Sequence, residues 1–171
     1  MLNWLKILNE LQKALPKHEG PFRVAVYSRC GSSGFQEEFA RHNIEMMEKE
    51  VNAQSKFVLV GTYFDIDSSA KPLAERRGLM DLLMDSRKGE IDLILTNSLT
   101  RLGSKPEAMM EIGDQLKDTP HTIGLVMEKE QLLVFGSDVC AWTEKVARGK
   151  CTPCHGILVG ITQEFPDHFV I

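Results

Sequence analysis

A loop of small residues follows an apolar stretch near the start of the chain, where residues 23–36 read RVAVYSRCGSSGFQ. It places Arg29 close to the hydroxyl groups of Ser28, Ser32 and Ser33. A glycine-rich turn between a strand and a helix offers free backbone N–H groups to an anion, and an arginine can pair with a phosphate. The spacing matches neither the P-loop nor the dinucleotide-binding fingerprint. The loop could therefore hold a nucleophile, bind a phosphate, or only turn the chain.

A second basic motif, ERRGL, is predicted near the start of the next helix and contains Arg76 and Arg77. Two arginines at a helix start are unfavourable with the positive end of the helix dipole, and an anion bound there would relieve that cost. The alternative is a solvated pair that Glu75 and Asp81 neutralise.

A third basic motif, TRLGSK, follows the third apolar stretch and carries Arg101 and Lys105. In a parallel sheet, loops at the carboxyl ends of the strands lie side by side, and they usually hold the functional residues. Arg29, Arg76 and Arg101 are therefore predicted to converge at one edge and to form a pocket for a phosphodiester.

The elements that must position these loops alternate between strand and helix patterns. The predicted strands are FRVAVYS, KFVLVGTYFD, IDLILTN, TIGLVME and a short QLLVF. The predicted helices between them are FQEEFARHNIEMMEKEVN, LAERRGLMDLLMDSRKG and PEAMMEIGDQLKD. This alternation predicts an α/β fold, a three-layer sandwich with a mostly parallel central sheet. In the first of these helices, Phe35, Phe39, Met46 and Met47 are expected to share one apolar face. In the second helix, Leu79, Leu82 and Leu83 are expected to point inward.

Segments at both ends flank this central block. Residues 1–21 are predicted to form an amphipathic helix and a linker, packed on the domain or on a partner, and residues 22–135 to form the main domain. Residues 136–171 are predicted to form a short helix and an irregular tail. The tail contains Cys151 and Cys154 in a Cys-x-x-Cys-His motif. This motif could be half of a zinc site, a redox pair or two unliganded thiols; haem attachment, which such a motif can also mark, would require export, and we expect no export signal.

Composition limits the possible functions. The chain has 171 residues, a formal net charge of -4 and a pI near 5.7, so it carries no overall basic signature for nucleic acid. No apolar stretch is long enough to span a membrane, and the N-terminus does not resemble a signal peptide. We expect a cytoplasmic protein with reduced cysteines and no membrane partner.

The block from Phe22 to Val134 resembles the catalytic domain of the serine recombinases, the resolvase and invertase family. YSRCGS stands where the family has Tyr-Ala-Arg-Val-Ser-Thr, and ERRGL stands where it has Arg-Pro-Gly-Leu. TRLGS is similar to the family's Asp-Arg-Leu-Gly-Arg, which also ends an aliphatic strand. The order and spacing of these blocks carry the resemblance.

The resemblance implies site-specific DNA recombination or integration, as in mobile elements. In this family a serine hydroxyl attacks a DNA phosphodiester, forms a 5′-phosphoserine link, and the strands rejoin after rotation within a tetramer. The reaction uses no metal and no cofactor, so arginines must stabilise the charge that develops on phosphorus. By resemblance, Arg29, Arg76 and Arg101 would activate the phosphate and Ser32 would attack it. Further possible contacts to phosphate or DNA are Ser28, Ser33 and Lys105.

Several positions depart from the family pattern. An ungapped alignment places Gly31 at the nucleophile position and Ser32 one residue later. Thr100 stands in place of an acid or a serine, and Ser104 stands in place of an arginine. His42 or Asn43 stands where the family has a glutamine. Either Ser32 replaces the missing nucleophile, or the reaction has been lost.

Three hypotheses follow from these residues. The first is a recombinase catalytic domain, active or degenerate, that binds DNA weakly because its tail has few basic residues and forms oligomers of itself or with another recombinase. The second is an inactive module that pairs with a full-length recombinase. The third is an unrelated α/β enzyme that binds a phosphate or nucleotide.

Overall fold

One mixed sheet of six strands forms the centre of the computed structural model, which describes residues 2–67, 71–103, 105–147 and 169–170. The strands are β1 (Phe22–Cys30), β2 (Phe57–Ile66), β3 (Leu93–Thr96), β4 (Gly124–Met127), β5 (Leu132–Phe135) and β6 (Phe169–Val170). Their order across the sheet is β2-β1-β3-β4-β5-β6. The first four are parallel, and β5 runs antiparallel to both β4 and β6. The prediction of a mostly parallel sheet is confirmed.

Helices cover both faces of this sheet. They are α1 (Trp4–Ala14), α2 (Gly34–Asn52), α3 (Arg77–Arg87), α4 (Leu99–Leu102), α5 (Pro106–Lys117) and α6 (Val139–Ala147), with 3-10 turns at Leu73–Glu75 and Gly136–Asp138. One core lies between the sheet and α1 with α2, and a second lies between the sheet and α3 with α5. Alternate side chains of β1 supply the two cores, since Val24 and Val26 enter the first and Ala25 and Tyr27 enter the second. The three-layer prediction is thereby confirmed.

The amphipathic helix at the N-terminus packs on the sheet. Ile7 and Leu11 are fully buried, and the ring of Trp4 lies edge-on to Phe57 with centroids 4.9 Å apart. Leu5, on the outer side, is 68% exposed. In this structure α1 therefore belongs to the same layer as α2, and the two helices share one core with the sheet.

The buried face of α2 differs from the predicted one. The residues that α2 buries are Ala40, Ile44, Met47 and Val51. Of the predicted set, only Met47 is buried, whereas Phe35, Phe39 and Met46 are 81%, 53% and 46% exposed. Successive residues turn by about 100° around a helix of 3.6 residues per turn, and this places the other three side chains close together and about 80–120° away from Met47. The prediction grouped residues by hydrophobicity and missed that separation.

A buried carboxylate ties three segments together at the amino end of β3. Asp92, the polar interruption of the third apolar stretch, accepts hydrogen bonds from Arg23 Nη2 at 2.7 Å, Nε at 3.0 Å and the backbone N at 2.8 Å. His121 Nε2 lies 2.9 Å from the carboxylate and His18 Nε2 lies 3.7 Å from it. Burial alone would raise the pKa of Asp92, but the bonds and charge of Arg23, with His18, hold that pKa below its ordinary value.

Candidate functional site

The three arginines of the predicted site lie together around the short helix α4. Arg29, at the end of β1, donates from Nη2 to the carbonyl oxygen of Thr100 at 2.9 Å and from Nη1 to that of Asp67 at 2.8 Å. Its Nε points to the carbonyl oxygen of Arg101 at 3.4 Å. The guanidinium of Arg29 is thus held by backbone oxygens, and the residue is only 6% exposed.

Arg76 binds the same turn from the other side. Its Nη2 donates to the carbonyl oxygen of Arg101 at 2.7 Å and to the hydroxyl of Tyr27 at 2.6 Å, and its Nη1 donates to the carbonyl oxygen of Leu102. Arg76 is 4% exposed. The third arginine is partly exposed, and its Nη1 donates to the carbonyl oxygen of Arg29 at 3.0 Å.

These bonds have a structural explanation. The last carbonyl groups of a helix lack partners within the helix, and they carry the negative end of its dipole. Arg29 and Arg76 supply donors and positive charge to the carbonyl oxygens of residues 100–102, which close α4. The positive charges of the three arginines also repel one another. Burial first, and then the charges of Arg76 and Arg101, lower the pKa of Arg29. The sequence predicted that the arginines would converge. It did not predict that the guanidinium groups of two of them would donate to backbone carbonyl oxygens.

An internal carboxylate satisfies the start of α3. Asp65 Oδ1 accepts the backbone N–H of Gly78 at 2.7 Å, and Oδ2 accepts that of Leu79 at 2.9 Å and the hydroxyl of Tyr27 at 3.0 Å. The anion expected beside ERRGL is therefore part of the protein. Burial is the first cause that raises the pKa of Tyr27, so its hydroxyl stays protonated and links Asp65 to Arg76. An acid at the end of the second predicted strand was the available signal for this residue.

Gly78 allows α3 to begin close to β2. A Cβ added at Gly78 would lie 2.6 Å from the carbonyl oxygen of Phe64 and 2.9 Å from its carbon. These are backbone atoms that cannot move aside cheaply. The glycine of the ERRGL motif is therefore required by the close approach of two backbones.

Gly31, predicted to stand at the family's nucleophile position, carries no hydroxyl, and the side chain of Gln36 lies in the space beside it. A Cβ built at Gly31 would collide with Oε1 of Gln36. Ser33 caps α2, since its Oγ accepts the backbone N–H of Gln36 at 3.4 Å. Ser32 is exposed, and within the described residues it makes no hydrogen bond to any of the three arginines.

In the described part of the chain, the side chains of the other two predicted phosphate or DNA contacts form no hydrogen bond with the three arginines. Ser28 is fully buried in β1, so it cannot touch DNA in this conformation, and its Oγ has no partner in the part of the chain that is described. Lys105 is exposed and precedes α5, and across residues 2–67, 71–103 and 105–147 its side chain forms no hydrogen bond or ion pair. Ser104 lies outside the described residues.

A groove beside the cluster is the open part of the site. It encloses about 590 Å³ between α2 and the loops that follow β3 and β4. Its lining includes Phe39, Asn97, Arg101, Glu128 and Lys129. Burial first, and then Glu50, raise the pKa of Glu128. The groove thus has mixed charge, and Arg101 is the one arginine of the cluster on its wall.

The cysteine motif cannot be placed, because Cys151 and Cys154 lie outside the described residues. Cys140 is buried against α5, where its Sγ donates to the carbonyl oxygen of Met110 at 3.5 Å and to Asp114 at 3.4 Å. No group of three metal-ligating side chains is found among the residues that the structure describes. Within the same residues, no helix combines the length and apolar character needed to cross a membrane.

Comparisons with known proteins agree with the geometry. The model of the resolvase N-terminal domain matches residues 24–135. The N-terminal catalytic domain of TP901-1 integrase has a similar structure, with a TM-score of 0.58 and 21% identity over 75% of this chain and 96% of that domain. A resolvase-family site-specific recombinase from Streptococcus pneumoniae has a TM-score of 0.57 and 17% identity over 75% of this chain and 87% of its own. No curated protein sequence matches. The family match covers more than half of the chain, which therefore belongs to the resolvase family of serine recombinases.

Proposed function

We propose that this chain is a recombinase-family domain that does not cleave DNA and that acts as the non-catalytic partner of a recombinase. The observation that carries the proposal is the state of position 31. A glycine stands there, and Oε1 at the flexible end of the Gln36 side chain lies against the position of a Cβ. Glycine has no atom that can attack phosphorus.

The arginine cluster supports the same conclusion. For a phosphate to take the donors that now bind carbonyl oxygens at 2.7–2.9 Å, Arg29 and Arg76 would have to release those oxygens. A hydrogen bond to a charged group contributes about 1.5–3 kcal/mol, so releasing two costs about 3–6 kcal/mol before any phosphate bond forms. The cluster therefore stabilises the fold in the form in which we see it.

A second candidate is cleavage through Ser32. Two observations favour it. Ser32 is exposed in the loop between β1 and α2, and the partly exposed Arg101 donates a hydrogen bond to the carbonyl oxygen of Arg29 near the end of β1. This reaction needs the loop to move so that Ser32 faces the cluster. The third hypothesis, an unrelated phosphate-binding enzyme, is set aside because the chain belongs to the resolvase family.

Detection of covalent protein–DNA adducts separates the two candidates. The chain is incubated with supercoiled plasmids carrying random inserts, because its target sequence is unknown, and the reaction is stopped with detergent. We expect no adduct from the wild type or from Ser32→Ala. An adduct from the wild type that Ser32→Ala abolishes would refute the proposal.

A matched variant tests whether only the hydroxyl is missing. Gly31→Ser combined with Gln36→Ala restores a serine and removes the side chain that fills its space. Adducts from this variant alone would show that the assay detects cleavage and that position 31 limits the reaction.

A further inference from the structure

A stripe of exposed side chains, three of them large and apolar, runs along the outer side of α2. It consists of Phe35, Phe39, His42, Met46 and Lys49, which follow one another at intervals of four, three, four and three residues. This is the spacing of the contact positions in a coiled coil. All five are exposed, including Phe35 at 81%. The stripe is about 21 Å long, at 1.5 Å per residue, which suits one partner helix of about four turns.

The charges beside the stripe favour one kind of partner. Glu38 and Glu45 each precede a stripe residue and lie along the same side of it. Both are exposed, and among the described residues neither forms an ion pair. Glu50, which is partly buried, borders the other side. The stripe therefore carries two phenylalanines and a methionine, with His42 at its midpoint and Lys49 at its end, and it has glutamates at its margins.

We propose that this stripe binds an amphipathic helix of a partner protein that has an apolar seam and lysine or arginine at its margins. The inference deepens the proposed function and rests on it, because it assigns the surface through which a non-cleaving subunit meets its partner. Such a helix would cover Phe35 and Phe39 and place its basic residues against Glu38 and Glu45.

Two other occupants fit the charges less well. In an antiparallel pairing of α2 with a second copy, Glu38 and Glu45 would face the same two glutamates. In a parallel pairing, Glu45 would approach Glu50 of the copy. Like charges placed opposite each other at coiled-coil margins disfavour the pairing. The same carboxylates repel DNA phosphates.

Two synthetic peptides test the proposal. Both have 21 residues and leucine at the seam, and they differ only in lysine or glutamate at the margins. Binding to the full chain is measured by fluorescence anisotropy at physiological salt. We expect the lysine peptide to bind at least roughly tenfold more tightly than the glutamate peptide, since opposite charges at the margins set partner choice.

Variants locate the binding and exclude general attraction to an acidic protein. Phe39→Glu should lose the lysine peptide, whereas Leu5→Glu, on an exposed apolar residue of α1, should bind it like the wild type. The double variant Glu38→Lys and Glu45→Lys should prefer the glutamate peptide. Circular dichroism confirms that each variant is folded.

Three results would overturn the inference. They are equal affinity for both peptides, binding that Phe39→Glu leaves unchanged, and a dimer of the chain that Phe39→Glu dissociates, which would assign the stripe to a second copy. The adduct assay separates this inference from the proposed function. Selective peptide binding together with adducts would refute the non-cleaving role alone, whereas no adducts and no selective binding would refute the stripe alone.

Discussion

Replacing Arg76 with methionine should reveal whether the arginine cluster stabilises the fold or strains it. Arg76→Met keeps an apolar stem of similar length and removes every donor. The carbonyl oxygens of Arg101 and Leu102 and the hydroxyl of Tyr27 each lose a bond from a charged group. Three such bonds are worth about 4.5–9 kcal/mol together, at 1.5–3 kcal/mol each.

Two gains reduce that loss. The variant no longer buries a guanidinium, and Arg29 loses a repulsive neighbour that lowers its pKa. Breaking a buried charged interaction by removing one partner usually costs 3–5 kcal/mol. We expect the free energy of unfolding to fall by about 3 kcal/mol, at the low end of that range, because the repulsion is relieved.

Urea unfolding at constant salt, followed by circular dichroism, measures this change. Arg77→Met, at the exposed neighbouring residue, is the matched control and should stay within about 0.5 kcal/mol of the wild type. A neutral or stabilising Arg76→Met would contradict our interpretation. It would show a cluster kept under strain for function, as catalytic sites often are.

Further predictions concern other parts of the fold. Asp92→Asn should lower the free energy of unfolding by about 3 kcal/mol at neutral pH. Because folding lowers the pKa of Asp92, this difference from the wild type should be complete above the unfolded pKa of about 3.9 and should shrink as the pH falls below it. A difference that grows in acid would be inconsistent with this. Gly78→Ala should cost about 2 kcal/mol by overpacking, whereas Gly34→Ala, with no atom within 4 Å of the added Cβ, should be neutral in the same thermal unfolding assay. If α1 belongs to the folded unit, Trp4→Ala should lower the free energy of unfolding in urea by about 3–5 kcal/mol, and Leu5→Ala should lower it by less than about 0.5 kcal/mol. Equal effects of the two variants would argue that α1 is detached in solution.

Local patterns were sufficient to predict the layers of this protein. Strands rich in β-branched residues alternate with amphipathic helices, and that order alone implies a parallel sheet with its loops at one edge. The same rule predicted that Arg29, Arg76 and Arg101 would meet. Each of these inferences depends only on periodicity and on the geometry of parallel strands.

The site could not be predicted in detail, because its contacts join residues that are distant in sequence. The carbonyl oxygens that hold Arg29 belong to a turn some seventy residues later, and no sequence pattern reports where a carbonyl points. The carboxylate of Asp65 and the amide of Gln36 are polar residues whose partners appear only after the backbone folds. The outward face of α2 was missed for a different reason, since hydrophobicity was weighed without the helical angle.

The most direct test of the non-cleaving role is the mass of one peptide. Trypsin releases residues 30–41, CGSSGFQEEFAR, which contain position 31 and both serines of the loop. The wild-type chain is incubated with DNA, digested with nuclease and trypsin, and analysed by mass spectrometry. We predict that this peptide carries no nucleotide, and a nucleotide linked to Ser32 or Ser33 would contradict our account.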